Sequence, residues 1–355
     1  MLKHLSLQNF RSYSKYALDF SQNTTIIIGQ NGIGKSNLME AIFLLAVGKS
    51  NRSEKEKQLI QFGKQITRLK AAIAKTDEIT DLEVVFADQG TAFLKKKYLV
   101  NGVARRRADF AGNLTAVLFT PTDLDLVSGQ PGNRRRFLDE VLEQVDIDYR
   151  LAHTTYTKAL RQRNALLEQV QETGSRNEKH FYYWDELLIK NGQLMMQKRE
   201  ELIEFINARQ KDFFPFVLLY DKSEISRERL DQYKTAEVGA GVTLVGPHRD
   251  DIKIEIKNNV DELIDARYFA SRGQQRLIVL ELKLAQIAFL EERTKVEPLL
   301  LLDDIFSELD EKNIQRILKL IDGRQAIITT THKEFVADVG LKDALMIELE
   351  NKLKV

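Results

Sequence analysis

The chain has 355 residues, of which 30% are charged and 43% hydrophobic, and its formal net charge is +1. The length predicts about two domains, and the composition is typical of a folded protein. Because the charge is balanced, any contact with a polyanion requires a local basic patch. The absence of cysteine excludes disulfides and thiolate chemistry. The N-terminus is unlike a signal peptide and no apolar run approaches ~18 residues, so we expect a cytoplasmic protein without a membrane span.

The first third of the chain predicts a sheet. Alternating or β-branched apolar residues predict strands at residues 3–9, 16–20, 24–28, 69–74, 82–86, 98–100 and 117–119. Asn101-Gly102 is the strongest short signal for a hairpin turn.

A glycine-rich segment follows the predicted strand 24–28 and precedes a predicted helix at 37–45. It matches the P-loop pattern G-x-x-x-x-G-K-S, in which backbone N–H groups hold nucleotide phosphates. The predicted nucleotide-binding residues are Gly29, Gln30, Asn31, Gly32, Ile33, Gly34, Lys35 and Ser36. Lys35 is expected to contact the β- and γ-phosphates of ATP, and the Ser36 hydroxyl to ligate Mg²⁺.

From residue 123 the apolar spacing changes to that of helices, predicted at 137–142, 149–169 and 185–205. Strand patterns return at 242–246 and 252–256, a mostly apolar helix follows through Leu277 and Ile287, and further strands are predicted at 299–302, 326–330 and 345–349.

The strand 299–302 ends in two carboxylates, as in a Walker B motif. Asp303 is expected to hold Mg²⁺ directly or through water, and Asp304 to orient or deprotonate the attacking water. We therefore predict Lys35 and Asp304 as catalytic residues, with Ser36 and Asp303 as the metal ligands.

A helix start that contains Ser271, Gly273 and Gln274 lies 32 positions before Asp303. Alone it is an ordinary helix cap, but before a Walker B motif it resembles the signature of ABC-type ATPases. In those proteins the signature meets the γ-phosphate bound by a second head. Ser307 and Asp310 fit the D-loop of the same interface.

Lys35 and Asp303 are 268 positions apart, which is too far for an uninterrupted P-loop domain. The predicted fold is therefore α/β: an ABC-type, SMC-head-like P-loop ATPase domain split by an inserted, mainly helical second lobe. We assign 1–122 and 241–355 to the two halves of the head, and 123–240 to the inserted lobe, which is too short for a long coiled-coil arm.

Over nearly its whole length the chain resembles the RecF family of bacterial recombination-repair ATPases. Besides the P-loop, the residues that carry the resemblance are 7–13, 121–129, 131–139, 245–251, 271–275 and 303–310. The resemblance implies an ATP-dependent homodimeric clamp that binds duplex DNA near single-strand gaps. It also implies that the clamp helps to load recombinase with RecO- and RecR-type partners. Because the chemistry depends on positioning and charge rather than on a covalent intermediate, we further expect slow, DNA-dependent ATP hydrolysis to release the clamp.

Several further residues are candidates with an alternative interpretation. Arg11 and Arg52 are candidate nucleotide contacts or members of ion pairs, and His332 is a candidate switch residue. The candidate DNA contacts are basic triplets, which could equally be solvated or internally paired: Lys95, Lys96, Lys97, Arg105, Arg106, Arg107, Arg134, Arg135 and Arg136.

Other functions also fit a P-loop. The alternatives are a phosphotransferase that acts on a small acceptor, a scaffold that binds ATP without hydrolysis, another SMC-like head, and a transporter's soluble subunit. The signature at Ser271 gives no support to the phosphotransferase, and the helical insert argues against the transporter.

Overall fold

The computed structural model describes residues 1–52, 56–75, 78–91, 94–308, 311–331 and 344–349, with only the backbone of Lys75, Ser307 and Glu308. The chain forms two compact units. Unit 1 comprises Met1–Asp123 and Leu290–Val355, and unit 2 comprises Leu124–Phe289. Unit 2 therefore includes residues 241–289, which the sequence analysis grouped with the ATPase head. Strand pairing explains this difference, because the strand Val217–Asp221, within the predicted helical lobe, pairs with the strand Asp251–Lys257.

The first part of unit 1 contains β1 (Leu2–Phe10), β2 (Tyr13–Asp19), β3 (Thr24–Ile28), α1 (Lys35–Val47), β4 (Ile66–Lys75), β5 (Glu78–Ala87), β6 (Lys95–Val100), β7 (Val103–Arg105), α2 (Arg107–Phe110) and β8 (Ala116–Phe119). The middle of the chain contains α3 (Asp125–Ser128), α4 (Pro131–Val145), α5 (Ile147–Thr173), α6 (Glu178–Ala208), β9 (Val217–Asp221), α7 (Arg227–Ala240), β10 (Asp251–Lys257), β11 (Leu263–Asp265), α8 (Ala266–Phe269) and α9 (Arg272–Thr294). The last part contains β12 (Leu299–Asp303), α10 (Glu311–Ile321), β13 (Ala326–Thr330) and β14 (Leu345–Glu348).

Unit 1 has two sheets. One is antiparallel, in the order β2-β1-β4-β5-β6-β7, and the other is parallel, in the order β14-β3-β13-β12-β8. The strands β3, β8, β12 and β13 are buried at every residue, as expected for a parallel sheet covered on both faces. Helix α1 contacts strands of both sheets, and its apolar residues join the core.

Most sequence-predicted elements of unit 1 are confirmed, including the strand before the P-loop and the helix after it. The predicted hairpin turn is also confirmed, between β6 and β7. Asn101 and Gly102 have φ values of 51° and 75° there, as a two-residue type I′ turn requires.

Unit 2 is built on the long helices α5 and α6 and on a three-stranded sheet in the order β11-β10-β9. Charged side chains tie these elements together inside the unit. The buried Arg199 of α6 binds Asp139 of α4 at 2.8 Å and Asp250 at 3.1 Å. Arg134 of α4 makes a two-pronged contact with Asp251 at 2.7 and 2.9 Å.

The strand predicted at 242–246 is wrong, because this segment is irregular. Side chains take its backbone donors instead of a neighbouring strand. The Thr243 N–H donates to the Asn164 side chain at 2.9 Å, and the Leu244 N–H donates to Glu237 at 2.9 Å. Strand β9 and helix α7 lie in stretches where the sequence pattern indicated no element.

None of the helices in the described part of the chain combines the length and the apolar character that crossing a bilayer requires.

A partly buried histidine, His248, follows the irregular segment of unit 2 and contacts it. The Tyr156 hydroxyl lies 2.7 Å from His248 Nδ1, and His248 Nε2 lies 3.0 Å from the Thr243 carbonyl. A neutral imidazole that accepts at Nδ1 and donates from Nε2 satisfies both contacts. The geometry therefore favours an uncharged ring.

The pKa of His248 is lowered to about 4, chiefly by burial and also by the nearby cations of Arg249, Arg135 and Arg163, against the opposing effect of the Thr243 carbonyl. The unfolded chain therefore binds the extra proton between about pH 4 and pH 6.5, so stability should rise with pH across that window. We expect the wild type to lose about 2 kcal/mol more than His248→Gln between pH 7 and pH 5 in urea unfolding. Equal losses in the two proteins would contradict this assignment.

Candidate nucleotide-binding site

The P-loop lies between β3 and α1 in a backbone conformation that requires glycine. Gly32 and Gly34 have φ values of 81° and 113°, in the region that other residues rarely adopt. A Cβ atom on Gly34 would also lie 2.7 Å from the Tyr13 hydroxyl oxygen. The loop thus leads directly into the N-terminus of α1, where free N–H groups and the helix dipole favour an anion.

The buried Lys35 side chain folds over its own loop. Its Nζ atom donates to the carbonyl of Gly29 at 2.6 Å and to that of Gln30 at 3.1 Å. Desolvation lowers the pKa of Lys35, whereas the carboxylates of Asp304 and Asp303 act in the opposite direction. A cation with two nearby carboxylates therefore lies at the place where the helix favours phosphate.

A threonine that sequence reasoning missed holds the Asp303 carboxylate at the end of β12 and the backbone of Asp304 after it. The Thr329 hydroxyl donates to Asp303 at 2.7 Å and accepts the Asp304 backbone N–H at 3.1 Å. Asp304 has a φ of 53°, which re-aims the chain directly after the strand. No signal beyond the position of Thr329 in a predicted strand could have found this contact.

The parallel register brings the two motifs to the same edge of the sheet. Asp303 pairs with Thr329 of β13, and Thr329 pairs with Ile27 of β3. The intervening strand separates β12 from β3 by about 10 Å. Asp303 is therefore level with the end of the strand that leads into the P-loop.

Arg11 and Arg52, the candidate nucleotide contacts, both lie near Glu40 of α1. Arg11 holds this fully buried carboxylate with two nitrogens, at 2.7 and 3.0 Å. Arg52 is half exposed, lies 4.0 Å from the same carboxylate and contacts Asn37 at 3.5 Å. The ion-pair alternative therefore describes Arg11 well, whereas Arg52 is held only weakly.

The turn between β1 and β2 contacts the start of α1. The Tyr13 hydroxyl donates to the Gly34 carbonyl at 3.1 Å, and the Asn37 side chain donates to the Ser12 hydroxyl at 3.0 Å. Burial raises the pKa of Tyr13, so this hydroxyl stays a donor. Together with Arg11, these contacts fix the loop and the first turns of α1.

A cavity of about 670 Å³ adjoins the same turn. Its lining includes Arg11, Ser12, Asn37, Asp88 and most residues of the segment 57–64. Because Asn37 follows Ser36 directly, the cavity lies next to the predicted phosphate site.

The predicted signature lies at the exposed start of α9 in unit 2. The Ser271 hydroxyl accepts the Gln274 N–H at 3.3 Å, and the Gln274 side chain accepts the Ser271 N–H at 2.8 Å. This reciprocal pair is a capping box, so the segment is the helix cap that its sequence alone predicts. A Cβ atom on Gly273 would have no neighbour closer than 4.0 Å, so the helix start is open to a ligand.

The predicted D-loop and switch fall mostly outside the described residues. Ser307 lies in a short 3₁₀ helix, Ile305–Glu308. For the last two residues of this helix, Ser307 and Glu308, only the backbone is described. Asp310 and His332 lie outside the described part of the chain.

The basic triplets are divided between solvent and internal contacts. In unit 1, Lys95, Lys97 and Arg105 are exposed. The triplet side chains that unit 1 engages are Lys96 (with Glu56), Arg106 (with Asp109) and Arg107 (with the Val47 carbonyl). In unit 2, Arg134 is buried on Asp251, Arg135 donates to the Asp250 carbonyl at 2.6 Å, and Arg136 is exposed.

The strand–loop–helix, the paired carboxylates on a parallel sheet and the second unit define a class, the P-loop proteins of the ABC and SMC-head type. A family model described as RecF/RecN/SMC N terminal domain matches residues 1–353. The chain therefore belongs to the RecF family within this class. Family membership leaves no ground for the phosphotransferase or transporter alternatives.

Individual relatives agree with this. The DNA replication and repair protein RecF of Shouchella clausii is 34% identical to this chain over an alignment that covers 98% of this chain and 96% of that protein. A solved structure of the recombination mediator protein RecF-ATPrS in the RecFOR pathway has a TM-score of 0.84 at 29% identity, with 99% of this chain and 96% of that chain covered. A second, of RecF-ATP in the same pathway, has a TM-score of 0.82 at 31% identity, with 94% and 92% covered.

The two arginines near Glu40 give a testable difference. Arg11→Ala leaves a buried carboxylate without its two-pronged partner, so we expect the free energy of unfolding to fall by about 3 kcal/mol. Arg52→Ala removes a half-exposed contact and should cost less than about 0.5 kcal/mol. Urea unfolding of both variants measures this directly, and similar losses for the two would contradict the assigned roles.

Proposed function

We propose that the chain binds ATP with Mg²⁺ at the P-loop. Residues 29–36 hold the phosphates, and Lys35 contacts their β- and γ-oxygens. Ser36 and Asp303 supply hydroxyl and carboxylate oxygens, the ligands that Mg²⁺ prefers. When bound, Mg²⁺ neutralises charge on the β- and γ-phosphates. The observation that carries the proposal is the Lys35 ammonium over the loop, with both carboxylates acting on its pKa.

The nucleoside enters the cavity beside the β1–β2 turn. Asn37, which follows the phosphate-binding Ser36, is among the residues that line this cavity, and this supports the placement. Arg52 reaches the phosphates or ribose, since its contacts to Asn37 and Glu40 are long. Arg11 acts on the site through Glu40.

Asp304 orients or deprotonates the attacking water during hydrolysis. Thr329 supports this role, because its hydroxyl holds the Asp304 backbone in the unusual conformation after β12. Chemistry of this kind depends on positioning and charge rather than on a covalent intermediate. Slow, DNA-dependent turnover then serves to time release.

Two chains share the nucleotide in an ATP-dependent homodimer. Ser271, Gly273 and Gln274 of one chain meet the γ-phosphate held by the other, and Ser307 and Asp310 cross the same interface. The exposed start of α9 supports this use, because among the described residues, apart from its two chain neighbours, no side chain other than that of Ser271 comes as close as 4.0 Å to a Cβ position on Gly273. The dimer closes on duplex DNA near single-strand gaps.

The clamp helps to load recombinase together with RecO- and RecR-type proteins. The names of the similar solved structures, recombination mediators in the RecFOR pathway, support this role. The family and the match over nearly the full length of both chains support it further.

The test is ATP turnover against protein concentration, with and without gapped duplex DNA. We expect the specific activity to rise with concentration and with DNA, and Lys35→Met to lower it about 10²-fold or more. Lys190→Met, at an exposed position of α6, is the matched control and should behave as wild type. An activity that is independent of concentration and of DNA would contradict the shared-site clamp.

A further inference from the structure

The antiparallel sheet of unit 1 has one buried and one exposed face. Alternate residues such as Leu7, Leu69 and Val84 enter the core, whereas their neighbours face solvent. We call the solvent-facing side the outer face. It is built from β2, β1, β4, β5 and β6, with the short β7 at its edge.

Strand register aligns a single row of residues across five strands of the outer face. Residues directly opposite each other on antiparallel strands project to the same side of a sheet. The pairings connect Lys15 to Gln8, Gln8 to Arg68, Arg68 to Val85, and Val85 to Lys97. Four spacings of about 4.8 Å place Lys15 roughly 19 Å from Lys97.

Two further cations flank this row. Lys95 lies on the same face of β6, and Lys70 on the same face of β4. The carboxylate among them is Glu83, which is 3.2 Å from both Arg68 and Lys70. Five cations against one carboxylate leave four positive charges in excess. We call Lys15, Arg68, Lys70, Lys95 and Lys97 the basic row.

The charge of the basic row is confined to one half of the outer face. The nearby carboxylates Asp19 and Asp81 align with Ala72 of β4, two residues past Lys70. They therefore lie on the side of Lys70 that is opposite to Lys95. Within the described part of the chain, no carboxylate forms an ion pair with Lys15, Lys95 or Lys97, so their charges are available to a ligand.

We propose that the basic row binds the phosphate backbone of duplex DNA. The proposal rests on the DNA-binding function above and identifies the surface that carries it. A duplex segment as long as the row, roughly 19 Å, carries about eleven phosphate charges, which is more than enough for each cation of the basic row to contact one. The basic row and its neighbours Gln8, Val85 and Glu83 include no aromatic ring, so these residues offer no stacking platform of the kind typical of single-strand binding.

The row differs from the candidate triplets in a specific way. Lys96 projects to the opposite face of β6 and pairs with Glu56, whereas Lys15, Arg68 and Lys70 come from strands distant in sequence. The DNA surface is therefore made by register across the sheet, and not by consecutive basic residues.

The test compares two triple variants of the full chain in the presence of ATP and Mg²⁺. Lys15→Gln/Arg68→Gln/Lys97→Gln removes three charges from the basic row. Lys179→Gln/Lys253→Gln/Lys257→Gln removes three exposed charges from unit 2 and is the matched control. The measurement is the Kd for a blunt random-sequence duplex as a function of salt concentration, with thermal melting and ATP binding as folding checks.

We expect the row variant to bind about 10²-fold more weakly at ~0.1 M salt. Its log–log salt slope should fall by about 0.9 for each phosphate that a removed cation had neutralised. The control should keep the wild-type slope. If the row variant proves unstable, Lys97→Glu alone should still weaken binding and reduce the slope.

Two results would overturn the assignment of this surface: an unchanged slope in the row variant, or an equal change in the control. In either case, if the wild type still binds duplex DNA, the proposed DNA-binding function stands and only its assignment to this surface is wrong. Failure of the wild type to bind duplex DNA under any condition would overturn the function and the surface together.

Discussion

The parallel register of β3, β13 and β12 is the constraint on which the site depends. Lys35 and Asp303 are 268 positions apart, and only strand pairing makes them neighbours. The strands are mostly apolar and are buried at every residue, so a slip of one residue would misalign the core as well as the site. Because Thr329 pairs with Asp303, its hydroxyl is placed to orient the Asp303 carboxylate and to accept the Asp304 backbone N–H.

A second set of contacts links the nucleotide site to the antiparallel sheet. The β1–β2 turn holds α1 through Arg11, Ser12 and Tyr13. The strands that enter and leave this turn also carry Gln8 and Lys15 on the outer face. The β1–β2 turn, which is continuous with two strands of the proposed DNA surface, therefore also contacts the P-loop and α1 through hydrogen bonds.

The sequence predicted the features that depend on local pattern, and missed those that depend on distant partners. The P-loop, the strand before Asp303 and the Asn101-Gly102 turn follow from short motifs with a fixed geometry. The strand predicted at 242–246 was wrong because its donors go to Asn164 and Glu237, residues that no local pattern connects to it.

The same limit applies to charged residues of the site. The pairing of Arg11 with Glu40 joins a turn to a helix 29 positions away, and the sequence left it open between a nucleotide contact and an ion pair. Of the basic row, the sequence indicated only Lys95 and Lys97, because Lys15, Arg68 and Lys70 join them only through strand register. The consecutive triplets attracted attention, yet alternation sends Lys96 to Glu56 on the other face.

The central claim is that two chains share each nucleotide, and mixing two inactive variants tests it most directly. A dimer of Lys35→Met with Ser271→Arg has one site with both defects and one site with neither. The account predicts that mixing the variants restores ATP turnover well above the sum of the separate activities. A mixture of Lys35→Met with the double variant Lys35→Met/Ser271→Arg should stay inactive. If mixing restores nothing, the start of α9 does not act on a partner's nucleotide, and the shared site is contradicted.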